Sequence, residues 1–251
     1  MSRLEEIIEI VKNNERTSID YLADYFKVTT MTIYNDLKKL GTKIIVSKSD
    51  VIYMESEENF YFSKQPHYFR LQRHKEEKKE IAKKAVNYIR DYDTVFLDGG
   101  STIHYLAKEI VNKNVLNLTV VTYSPVIVLE LAKKENIEII CLGGKLNKNN
   151  YIFFSNSREL LNQININQAF ISAVGVSQET GYTELLEEEA RLKIELSKYC
   201  KEIYILVDNS KFGIIGAYTF GPITFAKKII TDNRNEKIDL LNSIKNEIII
   251  E

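Results

Sequence analysis

Tryptophan is absent from these 251 residues, proline occurs three times, cysteine twice and histidine three times. So few cysteines exclude a disulfide-stapled scaffold, and His67, His74 and His104 stand in no zinc-binding spacing with Cys or Asp. No metal is therefore expected. Cys141 and Cys200 each close a run that reads as a strand or helix, which predicts buried thiols rather than a bonded pair. No apolar run approaches the roughly eighteen residues that a membrane helix needs. The opening Met1-Ser2-Arg3-Leu4-Glu5-Glu6 lacks the charged-then-apolar layout of an export signal, so a cytoplasmic protein is expected. Neither sign of charge dominates: 34 Lys and Arg against 35 Asp and Glu leave a net charge of −1, which by itself does not point to nucleic acid.

The distribution of charge says more than the total. Residues 1–55 hold eight Lys and Arg against nine Asp and Glu, whereas residues 63–90 hold nine against three. The basic surplus thus follows the first compact unit instead of lying inside it. The chain length suits one small and one medium domain, and the composition (44% apolar, 27% charged) is that of a chain with an ordinary buried core.

In the first unit, Leu4, Ile7, Ile8 and Val11 fall at i, i+3, i+4 and i+7, the stripe of an amphipathic helix. Ile19, Leu22, Ala23 and Phe26 repeat that spacing. After a short turn at Lys27-Val28, Thr29 or Thr30 can cap a third helix, with Ile33, Leu37 and Leu40 on its apolar face and Gly41 past its end. Two β-rich runs follow, 43–47 and 51–54, with Ser49-Asp50 as the hairpin turn. Three short helices and a hairpin make a winged helix-turn-helix, whose third helix enters the major groove of DNA. Thr30, Met31, Thr32, Tyr34, Asn35 and Lys38 lie off its apolar face. Hydroxyls suit phosphates, Asn suits adenine, and a Met or Thr methyl suits the thymine methyl. The same periodicity also fits a small helical bundle that touches no DNA.

Residues 58–74 read as a connector, so the predicted domains are 1–57 and 75–251. The segment with Arg70, Arg73, Lys75, Lys78, Lys79, Lys83 and Lys84 turns basic and helical, with Ile81, Ala85, Val86 and Ile89 on a narrow apolar face. A solvated helix face is the favoured reading, and a basic arm near DNA is the alternative. From residue 93 onward, strand-like runs (94–97, 118–122, 137–142, 168–173, 203–207, 228–231) alternate with helical patterns (103–111, 124–134, 158–163, 187–199). That alternation predicts an α/β domain with a mainly parallel sheet, its ligand bound at the carboxyl ends of the strands.

The small and polar residues collect at those ends. Leu97 leads into Asp98-Gly99-Gly100-Ser101-Thr102, Val121 into Thr122-Tyr123-Ser124, Leu142 into Gly143-Gly144-Lys145, and Val207 into Asp208-Asn209-Ser210-Lys211. Glycines let backbone N–H groups approach an anion at an electropositive helix start. A phosphorylated, hydroxyl-rich ligand is therefore expected, with its phosphate on Gly99, Gly100, Ser101 and Thr102, aided by Thr122 and Ser124. Lys211 supplies a positive charge, and Asp98 and Asp208 accept bonds from hydroxyls. Tyr123 and Gly144 complete the expected effector site.

Two stretches carry a resemblance to a known family. The run from Arg3 through Thr17-Ser18-Ile19-Asp20-Tyr21-Leu22-Ala23 to Asp36-Leu37-Lys38-Lys39-Leu40 resembles the DNA-binding signature of DeoR-type regulators. Leu97-Asp98-Gly99-Gly100-Ser101-Thr102, Leu142-Gly143-Gly144, Glu189-Ala190-Arg191-Leu192-Lys193 and Asp208-Asn209-Ser210-Lys211-Phe212 resemble, in order, motifs of that family's sensor domain. The resemblance implies a regulator, in all expectation a repressor of a carbohydrate operon. Its sensor domain would fold like ribose-5-phosphate isomerase and glucosamine-6-phosphate deaminase. It would bind operator DNA and a sugar-phosphate effector, need no cofactor, and act as a dimer or tetramer, since a lone winged helix supplies little specificity. The chain departs from the pattern at Tyr34-Asn35, where Arg-Arg is usual, at Tyr123, where Asn is usual, at 154–156, and in a wing without glycines. The alternative is an enzyme with Asp98, Glu189, Asp208 and Lys211 as acid–base groups, and Glu189 with Lys193 is equally readable as a plain helix pair.

Overall fold

A computed structural model describes residues 2–14, 16–40, 44–47, 50–53, 67–148, 150–154, 158–233 and 249–250. The chain forms two compact units, 1–61 and 62–251.

The first unit contains helix α1 (Arg3–Asn14), strand β1 (Arg16–Ser18), helices α2 (Ile19–Phe26) and α3 (Thr30–Lys39), and strands β2 (Ile44–Ser47) and β3 (Asp50–Tyr53). Ser18 caps α2 by accepting the Tyr21 N–H, and Lys27, at φ 52°, ends it in the left-handed region. Of the two candidate caps for α3 it is Thr29 that accepts the Thr32 N–H, at 3.2 Å. Ile7, Val11, Ile19, Leu22, Ala23, Ile33, Leu37 and Val51 form one core, as the 3.6-residue spacing dictates. Asp36 ties α3 to α1: buried on the inner side of α3, it accepts from Arg3 Nε at 2.7 Å and Nη2 at 2.6 Å. β3 pairs antiparallel with both β2 and β1, so the expected hairpin is one edge of a three-stranded sheet. Asp50, read as a turn residue, already pairs with Ser47. Gly41 and Ser49 lie outside the described residues.

The second unit opens with α4 (His67–Gln72) and α5 (Lys75–Ala85). There follow β4 (Thr94–Leu97), α6 (Ser101–Asn112), β5 (Leu118–Thr122), α7 (Pro125–Leu131), β6 (Ile137–Cys141), β7 (Lys145–Asn147), β8 (Ile152–Phe154) and α8 (Arg158–Leu161). Then come β9 (Ile166–Ile171), β10 (Gly175–Ser177), β11 (Gly181–Glu184), α9 (Glu187–Leu196), β12 (Cys200–Leu206), β13 (Tyr218–Gly221), β14 (Lys228–Ile230) and β15 (Ile249–Ile250). Seven of the strands form one parallel sheet in the order β15-β14-β12-β9-β4-β5-β6. All six strands expected from the sequence lie in it. The short pieces β7, β8, β10, β11 and β13, absent from the sequence reading, make a hairpin and a small antiparallel sheet.

Alternation along the strands builds a core on each face. Val95, Leu97, Val120, Phe170, Tyr204 and Leu206 pack with residues of α5, α6 and α7 on one face. Phe96, Val121, Ile171, Ile205 and Val207 face the other, with Ala190 and Leu196 of α9. The chain winds one way through β4, β5 and β6 and the other way through β9, β12 and β14, so the order reverses between β4 and β9. A crevice opens at such a switch point, outside the carboxyl ends of the strands.

Three expectations need correction. The connector over 58–74 includes α4, which belongs to the second unit and buries His67 and Phe69; residues 58–66 lie outside the described residues. Cys141 is exposed, because β6 is the sheet's edge strand, and Cys200 is half-buried; both are free thiols. The basic segment is not uniformly solvated: Lys78 is only 4% exposed, while Lys75 and Lys83 are exposed.

Candidate functional site

In the first unit, α3 presents Thr30, Met31, Tyr34 and Asn35 to solvent, with Met31 68% exposed. Thr32 is half-buried and its hydroxyl meets that of Thr29 at 2.9 Å. Lys38 lies on α3, and its side chain is outside the description. Ile33 and Leu37 hold the opposite face of the helix in the core. The helix therefore offers a hydroxyl, an amide, a phenol and a thioether on one surface, the chemistry of base-edge and phosphate contacts.

In the second unit a cavity lies where the carboxyl ends of β4, β9 and β12 meet the start of α6 and the short helix α4. Gly100, Ser101 and Thr102 contribute the helix start, Ser172, Ala173 and Val174 follow β9, and Leu206, Val207, Asp208 and Lys211 follow β12. Arg70 comes from α4, Arg73 and His74 from the turn after it, and Lys78 from the start of α5. Four cations thus share a cavity with the first turn of a twelve-residue helix, whose leading N–H groups favour an anion.

Backbone carbonyls hold Lys78 in place. Lys78 donates to the carbonyls of Arg70 and, at 2.6 Å, Arg73. Burial pushes its ammonium down to about 7, against the pull of Asp208. Desolvation also lowers Lys211 from the usual lysine range; Asp208 opposes the shift and Arg73 and Arg70 add to it. Burial works to raise Asp208, but Lys211, Lys78 and the Ser210 hydroxyl together hold it below the usual carboxylate range. Buried atoms of this cavity with no hydrogen-bond partner among the described residues include Arg70 Nε and Asp208 Oδ2. One is a donor and one an acceptor, as a ligand with both anionic and hydroxyl groups would require.

A buried ionic network runs inward from the cavity wall, where Ser172, Glu184 and Glu189 lie. Lys193, 1% exposed, contacts Asp98 at 3.2 Å, bonds to Glu184 and donates to the Ser172 carbonyl at 2.8 Å. Asp98 accepts from Gly99 N at 2.8 Å, Ser172 N at 2.9 Å, Ser172 Oγ at 2.7 Å and the Tyr123 hydroxyl. Burial works to raise Asp98, and Lys193, Tyr123 and Ser172 outweigh it, so the carboxylate stays ionised. The same lysine stays protonated, because Asp98, Glu184 and Glu189 outweigh its burial. Glu189 accepts from Asn150 at 2.9 Å, and burial beside Glu184 pushes it up to about 7.

The structure thus divides the effector residues expected from sequence. Gly100, Ser101, Thr102, Asp208 and Lys211 line the cavity together. Asp98 and Tyr123 sit behind it, bonded to each other, so Asp98 has its acceptor sites occupied and is not the hydroxyl acceptor expected. Thr122 donates to Leu97 O at 2.7 Å and Ser124 to Tyr151 O at 3.2 Å; both are buried and hold the loops rather than face the cavity. Gly144 is exposed, at φ 143°, and is not among the cavity residues. The two glycines after β4 are needed for close packing: a Cβ on Gly99 would lie 2.2 Å from Ile152 Cγ2, and one on Gly100 2.2 Å from Ser172 Oγ. Glu189 and Lys193 are more than a plain helix pair, since each also bonds elsewhere.

Sequence reasoning missed Arg70, Arg73, Lys78, Asn150, Ser172 and Glu184. A signal for Lys78 was present: it falls at i, i+3, i+4 and i+7 with Ile81, Ala82 and Ala85, a charge inside an apolar stripe.

Comparison with known proteins matches residues 73–233 to the DeoR C terminal sensor domain and residues 3–56 to a helix-turn-helix domain. The chain belongs to the DeoR family. Among its relatives, the HTH-type transcriptional regulator IolR of Bacillus subtilis is 30% identical over 92% of this chain and 90% of its own. The lactose phosphotransferase system repressor of Staphylococcus epidermidis is 31% identical over 94% and 95%. The L-fucose operon activator of Escherichia coli is 27% identical over 96% and 99%. This DeoR-family chain is therefore a DNA-binding transcriptional regulator. Among solved structures, ribose 5-phosphate isomerase A of Methanocaldococcus jannaschii superposes with a TM-score of 0.39 and 20% identity, covering 54% of this chain and 53% of that one. The chain spans about half the length of that enzyme. The translation initiation factor eIF-2B of Pyrococcus horikoshii gives a TM-score of 0.45 and 17% identity over 68% of each chain. No helix among the described residues is long and apolar enough to cross a membrane.

Proposed function

We propose that this regulator is a cytoplasmic repressor of a carbohydrate-metabolism operon, binding its operator as a homo-oligomer and releasing or tightening on DNA when a phosphorylated sugar fills the cavity. The observation that carries the reading is the cavity's makeup: Arg70, Arg73, Lys78 and Lys211 share it with the start of α6. A phosphate dianion is matched by such a set, and Asp208 Oδ2, buried and unpartnered, suits a sugar hydroxyl. The names of relatives, among them a lactose phosphotransferase system repressor and an L-fucose operon activator, agree in class.

The enzymatic alternative needs a carboxylate poised at the substrate carbon. Asp98 and Glu184 are instead bonded to Lys193, and Glu189 to Asn150. These bonds occupy three of the carboxylates, and the fourth, Asp208, sits between Lys78 and Lys211 and is read as the acceptor of a sugar hydroxyl. A thermal-shift screen of glucose 6-phosphate, fructose 6-phosphate and galactose 6-phosphate against the free sugars tests the reading. A true effector at a hundred times its Kd adds about 2.7 kcal/mol of stability, while the free sugar adds far less. Equal shifts for sugar and ester would reject the phosphate assignment, and steady product formation would favour the enzyme. The DNA half is tested by a gel shift with DNA flanking the protein's own gene.

A further inference from the structure

We infer that Arg70 and Arg73 clamp the effector's anionic group, so that filling the cavity docks α4 more firmly on the sheet domain. The proposal deepens the sensor reading and rests on it.

α4 is one short helix held from three sides. Phe69 is buried and Leu71 packs against the core beneath α5 and α6. The Tyr105 hydroxyl donates to the Leu71 carbonyl at 2.9 Å, and Lys78 ties down the carbonyls of Arg70 and Arg73. These contacts fix the end of the helix and aim two guanidinium groups, Arg70 on the helix and Arg73 in the turn just after it, into one cavity.

The docking is incomplete in polar terms. His67, at the head of α4 and 2% exposed, has neither ring nitrogen hydrogen-bonded among the described residues, and Arg70 Nε is likewise without a partner. Arg70 reaches the Asn150 side chain only at 3.4 Å. Each unsatisfied buried donor opposes docking. An anion beside Arg70 and Arg73 would supply acceptors on the cavity side. Its binding free energy then becomes docking free energy for α4, since only the docked helix and the turn after it bring both arginines to the cavity. The residues after the DNA-binding unit lead into α4, so cavity occupancy is expressed where the two units join in sequence.

Hydrogen exchange on the full-length chain tests this, with inorganic phosphate and glucose 6-phosphate as probes and calorimetry as the measure of binding. At a hundred times the Kd of the probe, amides of 67–73 should exchange about a hundredfold more slowly, with the β4 and β9 amides unchanged. Arg70→Gln and Arg73→Gln should each weaken the probe about ten- to a hundredfold, and Arg70→Lys should recover part of the loss. A probe that binds with no added protection over 67–73 overturns the clamp and leaves the sensor reading standing. Binding undiminished in both Gln variants, with the fold checked by circular dichroism, overturns it as well. Failure of wild type to bind either probe overturns the clamp together with the sensor reading.

Discussion

The two units handle charge in opposite ways. In the first, the polar groups proposed to meet DNA stand on the outside of α3, and the buried acid Asp36 is met by Arg3. In the second, the decisive charges are inside: Lys193, Asp98 and Glu184 are all buried, and Lys78 with them. A surface site on a helix needs only a stripe holding its other face in the core. A buried site needs charges from distant parts of the chain brought together before any of them can leave water. The first unit should therefore tolerate change at its functional face, whereas the second should lose its fold when its ionic network is cut.

The sharpest way to break that contrast is Lys193→Met. It would leave Asp98 and Glu184 buried without their cation, and should cost about 3–5 kcal/mol of stability, read as a lowered urea midpoint. A loss below about 1 kcal/mol would show the network to be incidental. Next comes pH. Burial drops His67 to about 3, with Arg70, His104 and Lys78 adding to the shift, and His104 to about 4, with Lys108 and Lys133 adding and Glu130 opposing. Unfolded chains take up these protons below about 6.5, while the folded chain resists, so stability is full above that pH and falls toward 4. At pH 5 the loss from His67 is about 2 kcal/mol, and His67→Phe should remove it; an unchanged pH profile in that variant would refute the assignment.

On the other side of the comparison, Asn35→Ala should leave unfolding unchanged and weaken operator binding by about 1–3 kcal/mol, with relaxed preference at one base pair. Competition gel shifts with single-base operator variants measure both. The smallest effect is expected at the outer face of α5. Lys79→Gln and Lys83→Gln should leave the salt slope of DNA binding where it was. A slope reduced by about one unit per removed lysine would instead make this face an arm on the phosphates.

How much could be read in advance follows the same division. The stripes Ile7/Val11, Ile19/Leu22 and Ile33/Leu37 specified the helices of the first unit, and the exposed side of α3 followed from them by subtraction. The six β-branched runs specified the parallel strands, and the polar loops at their ends located the cavity's floor at Gly100, Ser101, Thr102, Asp208 and Lys211. Asp98 was expected to face the ligand because it starts the same loop, but a strand-end side chain can turn inward, and here Ser172, Tyr123 and Lys193 receive it.

Sequence alone therefore determined the class, the order of elements, the family and the edge of the sheet where a ligand sits, because each of these is local or periodic along the chain. Tertiary structure alone decided which charges share the cavity. Arg70 and Lys78 reach it from far along the chain from Asn150, Asp208 and Lys211. Proximity of that kind comes from the winding of the sheet, and no spacing along the chain records it.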